Sequence, residues 1–560
     1  MPNRQLPVRR TALLLAAVAL TASAAGCSGS SAPAATDGII TASASPAGPL
    51  TANFNPFSST SPLNIVGGAS MINEPLFITN PVNTTQVTPW LAKSWSFSPN
   101  GMTLTVNLNS GITWSDGTPF SASDVAYTFN LLVSQPQLNT TGIPVKSATA
   151  ISPDQVAINF SFPGYTSLAQ VGAVPIVPQH IWSKAADPAT FTNPNPVGTG
   201  PYELSPGSFT SQGYLLVKNP HYWQKDMQPK VTGFRFVTYD SNTSANLALE
   251  QGDLDWSSNF VPEIQKAYVG KSADHHYWFP AVGPEFLCPN DALPKYQNTD
   301  VRKAISLALD RQAIVTAGEQ GEQPAATSPS GLVLPRDSAV LDPALAGTTL
   351  QQNIPEAKSL LAAAGYKAGA DGMLTGPDGK PLTATLNVPA SFTDTLADFQ
   401  VVAEQLKAVG IDATVQSSSE QAWISNLLTG NTDLTVCGGS LTGAVATPYQ
   451  IFNALNGALT KPIGQLAFGD TERWNDTATT DLLGEYATSS SAAVQQTALN
   501  GLQQIMAQQV PVIPMAYTVA WDEYSTAVAT GWPSAADPYA TGMPTGATAV
   551  EVALHLTPVK

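Results

Sequence analysis

From Thr51 onward, apolar residues recur in two rhythms, alternate positions and helical spacing, and the two take turns along the chain. Leu104, Val106 and Leu108 alternate with polar residues, which predicts a half-buried strand, and Ser115-Asp116-Gly117 supplies a turn after it. Asp124 opens a helical stretch with Val125, Phe129 and Leu132 on one face. The clearest unit runs from Leu382 to Cys437. Leu382 to Val388 reads as a strand, and Thr395 to Val409 as a helix with Leu396, Phe399, Val402 and Leu406 inward and Gly410 as its stop. Ala413 to Gln416, Gln421 to Leu428 and Leu434 to Cys437 follow as strand, helix and strand. Asp300 can cap a helix carrying Ala304, Ile305, Ala308 and Leu309, and Pro355 starts one that ends at Gly365. The pattern predicts an α/β protein without internal repeats.

The first 27 residues follow another logic. Arg4, Arg9 and Arg10 precede a short apolar run from Thr11 to Ala22, and small residues lead to Gly26-Cys27. The run is too short for the ~20 residues that span a bilayer and reads as a secretion signal. A cysteine in that place resembles a lipoprotein signal, with residues 1–26 removed and Cys27 as the lipid-bearing first residue. Residues 27–50, rich in Ser, Ala, Gly and Thr, are expected to be a flexible tether.

Everything after Cys27 is therefore read as extracytoplasmic. The formal net charge is -16, and removal of a leader carrying three arginines would make it -19, which argues against nucleic acid as a partner. Charged residues are 11% of the chain, against ~25% in ordinary globular domains. Besides Cys27 there are only Cys288 and Cys437, which could pair in an oxidising compartment or stay as buried thiols. The 560 residues suffice for more than one core.

Signatures of catalysis are absent. No serine lies three residues before a lysine, and no Gly-x-Ser-x-Gly elbow occurs. None of the five histidines has metal-ligand spacing, so neither a metal nor a cofactor is expected. What stands out instead is aromatic and amide content suited to a cleft that stacks on and hydrogen-bonds a polar organic ligand. Candidates are Asn55 with Phe57, Trp256 with Asn259 and Phe260, and Tyr449 with Gln450. Trp256 is placed in the cleft because it ends an acidic-apolar strand and precedes Ser257-Ser258-Asn259.

A series of motifs then appears in one order: Pro89-Trp90-Leu91-Ala92, Trp114-Ser115-Asp116-Gly117, Pro196-Val197-Gly198-Thr199-Gly200-Pro201-Tyr202, Lys218-Asn219-Pro220-His221-Tyr222-Trp223, Gly252-Asp253-Leu254-Asp255, Val301-Arg302 with Asp310-Arg311, and Val510-Pro511-Val512-Ile513-Pro514. The series resembles the family 5 solute-binding proteins of ABC importers, the dipeptide- and oligopeptide-binding type. That resemblance implies a two-lobed periplasmic-binding-protein type II fold with an extra subdomain on the first lobe. Lobe one is expected at 51–285 and 515–560 with the extra subdomain within 83–194, and lobe two at 286–514. The crossovers are expected near Phe286-Leu287 and Val512-Ile513. It also implies a monomer, lipid-anchored to the cell membrane, that closes on its solute and delivers it to permease subunits. Peptide-binding members place an aspartate after the strand equivalent to Leu434–Cys437. Here Gly438 to Tyr449 contains no acid, and Ser440 stands as the polar candidate. A peptide ligand is expected, with an oligosaccharide as the alternative and a non-transport receptor as a further one.

Overall fold

The computed structural model describes residues 38–438 and 445–559. Three large sheets organise them, beside three two-stranded ones. The first has seven strands, and its centre is Ile39–Ser43. This strand runs parallel to Gly233–Val237 on one side and to Trp256–Ser257 on the other. The expected tether is thus corrected for its last part. Ile39 and Ile40 favour extended backbone, and the small Ala42 fits a fully enclosed position, 0% exposed, that a larger side chain would overfill. Helix Asn242–Gln251 connects the two flanking strands; Ser241 caps its start and Gly252, at φ +80°, ends it.

A second, four-stranded antiparallel sheet contains Ala92–Phe97, Thr103–Leu108, Gln155–Phe160 and Val145–Ser152 in that spatial order. Leu104, Val106 and Leu108 all face its core, as their alternation predicts. Helix Ala122–Ser134 packs on it, capped by Ser121, whose own N–H donates to Asp124 at 2.9 Å.

The third sheet orders Asp412–Ser418, Thr383–Pro389, Leu434–Gly438, Ala281–Pro289 and Ile513–Val519. Its parallel pair, Thr383–Pro389 with Asp412–Ser418, is bridged by helix Thr393–Ala408. The unit read from Leu382 to Cys437 is there in full. Two helix starts lie slightly earlier than expected: Asn298 caps Thr299–Ala308, and Asn353 caps Ile354–Ala363.

Sheet membership puts the passages between the first and third sheets at 278–280 and 520–522. These lie outside the expected crossovers, because Glu285–Pro289 already pairs with Leu434–Gly438 and Ile513 with Leu287. The two passages bond to each other: Trp278 N–H donates to the Asp522 carbonyl and Ala520 N–H to that of Pro280, both at 2.9 Å. Cys288 and Cys437 form a disulfide across neighbouring strands, with Cα atoms 5.9 Å apart.

The motif residues hold this frame. Glu74 is fully buried and accepts from Trp90 Nε1 (2.8 Å), Tyr222 Oη (2.9 Å) and Trp223 Nε1 (2.8 Å). Burial pushes its carboxyl up to about 7 despite these donors. A Cβ on Gly198 or Gly200 would collide with the carbonyl oxygens of Ile72 and Met71. The Arg302 guanidinium donates to the carbonyls of Tyr296, Gln509 and Val510, and Arg311 Nε donates to that of Pro514 at 2.7 Å.

Candidate functional site

A cavity of about 570 Å³ opens in front of the third sheet, where Leu434–Gly438 ends against Ala281–Pro289. Pro284 and Phe286 reach it from one strand, Cys437 and Gly438 from the other. Gly438 takes φ +86°, and a Cβ there would press on the Pro284 carbonyl oxygen at 2.6 Å, so the strand needs glycine to turn out at the cavity. Ile451, Leu455, Leu466, Phe468 and Val512 make the wall largely apolar. Thr141, Gly142 and Gln170 close the opposite side from next to the four-stranded sheet. A second cavity, about 350 Å³, shares Thr141 and Gln170 and continues past Phe57, Asn64 and Pro175. Gln170 Oε1, at the junction, is buried without a hydrogen-bond partner among the described residues.

The expected ligand residues divide. Phe57 lines the smaller cavity and Gln450 the larger, where its Nε2 also donates to the Thr166 carbonyl at 3.2 Å. Asn55 is buried and works indirectly. Its Nδ2 donates to the Phe191 carbonyl at 2.9 Å, and its Oδ1 accepts from Phe57 N–H at 2.9 Å, which fixes the loop that carries Phe57. Tyr449 stacks on Tyr486 at 5.0 Å behind Gln450. Trp256 requires correction. It is 0% exposed, packs between Phe234 and Trp532, and donates from Nε1 to the Gly542 carbonyl at 2.5 Å. It belongs to the core of the seven-stranded sheet. Asn259 is also inward, its amide bonded to Asn246 and its N–H to Glu523 Oε2 at 3.2 Å. Phe260 packs on Trp521 beside the passages at 5.4 Å and lines neither cavity. Ser440 and Cys27 lie outside the described residues.

Sequence reasoning missed the acids. Asp470 and Glu472 come from the loop before helix Thr477–Thr488, yet they line the cavity that Cys437 and Gly438 line. Burial pushes Glu472 up to about 7, with the charge of Asp470 adding to it, and Asp470 up to about 6. The absence of an acid after Leu434–Gly438 therefore does not leave the cavity without one. Nothing local in Gly469-Asp470-Thr471-Glu472 distinguishes it from a surface turn, and only the fold brings it to the strand end. A carboxylate oxygen of Glu472 and the sulfurs of Cys288 and Cys437 lie within 4.8 Å of one another. The sulfurs are bonded to each other, so they offer no thiolates to a metal.

A family model, bacterial extracellular solute-binding proteins, family 5, matches residues 86–460. The chain belongs to this family. Protein XP55 of Streptomyces lividans is 29% identical over 325 residues, 57% of each chain, so the match spans little more than half of that relative. The periplasmic murein peptide-binding protein of Escherichia coli is 23% identical over 463 residues, 77% of this chain and 79% of the relative. The mannohexaose-bound periplasmic oligopeptide-binding protein of Thermotoga maritima superposes with a TM-score of 0.79 at 25% identity, covering 93% of this chain and 99% of that one. The two lobes, each built on one large α/β sheet, and the extra four-stranded subdomain are those of a family 5 solute-binding protein. Among the described residues, no helix is long and apolar enough to cross a membrane.

Proposed function

We propose that this chain is the extracytoplasmic binding component of an ABC importer and captures short peptides. The observation that carries this reading is the larger cavity, lined by Thr141, Gly142 and Gln170 from one lobe and by Phe286, Gly438 and Ile451 from the other, in a chain whose two large sheets are joined by two short passages that can act as a hinge. Apolar walls with a few convergent polar groups suit peptide side chains and backbone. The murein peptide-binding relative supports the peptide class. Closure excludes water and strengthens each polar contact inside, and no bond of the ligand need change. The protein is a monomer that meets its permease at the membrane, held there by lipid on Cys27. A second reading, oligosaccharide binding, is favoured by the mannohexaose-bound neighbour.

A thermal-shift screen over di- to pentapeptides and oligosaccharides tests the ligand class, since a ligand that binds only the folded state raises Tm. Peptides are expected to shift Tm. A shift with mannohexaose alone would replace the peptide reading by the second one. Cys27→Ser is expected to move the protein out of the membrane fraction, and retention there would refute the lipid anchor.

A further inference from the structure

The smaller cavity, about 350 Å³, belongs to the first lobe alone and is built by 56–64, 132–141 and 170–175. Pro56, Phe57, Leu132, Leu138, Val174 and Pro175 give it apolar walls. Phe57 meets Trp182 edge-on with ring centroids 5.6 Å apart, and Asn55 holds its N–H, so the ring is set before a ligand arrives. The amides in the wall are committed. Asn64 Nδ2 donates to the carbonyls of Pro56 at 2.9 Å and Ser58 at 3.0 Å, and Asn139 exchanges two hydrogen bonds with the backbone of Ile143. The hydroxyls of Thr140 and Thr141 make no hydrogen bond among the described residues. No charged residue lines this cavity, and the segments around it, 54–64, 130–145 and 163–178, contain no Asp, Glu, Lys, Arg or His. The larger cavity differs, with Lys461, Asp470 and Glu472 in its lining. An ion entering the smaller cavity gives up water without meeting a counter-charge in its walls, whereas an apolar group gains by leaving water. The two cavities share Thr141 and Gln170, so one solute can reach into both.

We propose that the smaller cavity is a selectivity subsite of the first lobe for an uncharged, apolar group of the solute. The group packs on Phe57 and Leu138, and a polar edge on it meets the hydroxyls of Thr140 and Thr141. This rests on the reading of the larger cavity as the ligand site and adds a rule for its ligand: the part that extends past Thr141 carries no charge. In a peptide that part is an aliphatic or aromatic residue, and an ionised side chain or terminus is rejected there.

Ligand-observed NMR titration with benzyl alcohol, benzoate and benzylammonium tests the subsite without assuming a peptide. The alcohol is expected to bind wild type at least about tenfold tighter than either ion. Ala173 lines the cavity and is exposed, so a bulky replacement there fills the cavity without disturbing the core. Ala173→Trp is expected to remove the preference for the alcohol. Thr140→Asp, a change at another exposed position, is expected to raise benzylammonium binding about tenfold and to leave benzoate weak. Equal binding of the three probes to wild type, or a preference that survives in Ala173→Trp, overturns the proposal. If that variant does not fold, Thr140→Asp decides: unchanged benzylammonium binding overturns the proposal. Tetra-alanine peptides with one position changed to Leu or to Asp carry the test to the ligand. At one position wild type is expected to favour Leu over Asp by about tenfold, and Ala173→Trp is expected to lose that preference. Peptides that bind with no such position overturn the proposal. Discrimination among the three probes, lost in Ala173→Trp, with no peptide binding at all supports the subsite and refutes the peptide reading.

Discussion

Trp256 is enclosed by Phe234, Trp532 and the backbone of Gly542, the last lying 286 residues further along the chain. Its local setting, a strand end followed by Ser257-Ser258-Asn259, is that of an exposed loop aromatic, and the sequence carries no sign of what covers it. Gln450 and Phe57 could be read because each sits in a short loop or helix start that reaches a cavity directly. The place of Glu472 could not, since only a loop brought to the end of a distant strand puts it at the cavity. Trp256→Ala is expected to destabilise the protein by about 3–5 kcal/mol, the usual cost of emptying a buried aromatic site. Ligand affinity at a temperature where the variant is folded should stay within about twofold of wild type, well under the ~1 kcal/mol loss of a direct contact. Urea unfolding and calorimetric titration on one preparation separate the two effects. Full stability with lost affinity would return Trp256 to the site.

At the level of elements, the sequence was most legible where periodicity and punctuation agree, as from Leu382 to Cys437. It was least legible at Ile39–Ser43, where two β-branched residues in a small, polar stretch give too little periodic signal. That strand becomes the centre of a sheet only because Gly233–Val237 and Trp256–Ser257 flank it. The ordered motifs were informative about the family, and the structure shows several acting as scaffold: Trp90, Tyr222 and Trp223 bind Glu74, and Arg302 and Arg311 hold the backbone at 509–514. The disulfide joins the strands that carry Phe286 and Gly438 to the cavity and closes a sequence separation of 149 residues. Replacing Cys288 and Cys437 together by serine is expected to cost about 2–5 kcal/mol in urea unfolding. An unchanged unfolding midpoint would show that the third sheet does not depend on this link.

For the whole molecule, buried carboxyls set the response to pH. Burial raises Glu74, Glu285 and Glu472 to about 7, and Glu523 and Glu551 to about 8. In the unfolded chain each titrates near 4.5. Between that value and about 7 to 8, the folded state holds more protons than the unfolded one. Stability therefore falls as pH rises through this window, by about 1.4 kcal/mol per pH unit for each net proton held, and levels off above it. Thermal unfolding is expected to give a higher Tm near pH 5 than near pH 8. A Tm that rises over this range would mean that these carboxyls are ionised and compensated in the folded protein.

The central claim is that the cavity between the lobes is where the solute binds. Calorimetric titration of short peptides into the wild-type protein and into Ala446→Trp addresses it directly, because the indole would occupy the cavity while Ala446 itself contributes little to the core. Saturable binding to wild type, lost in the variant at an unchanged Tm, is the expected result. Wild-type affinity in a folded Ala446→Trp protein would contradict the account and place the solute elsewhere.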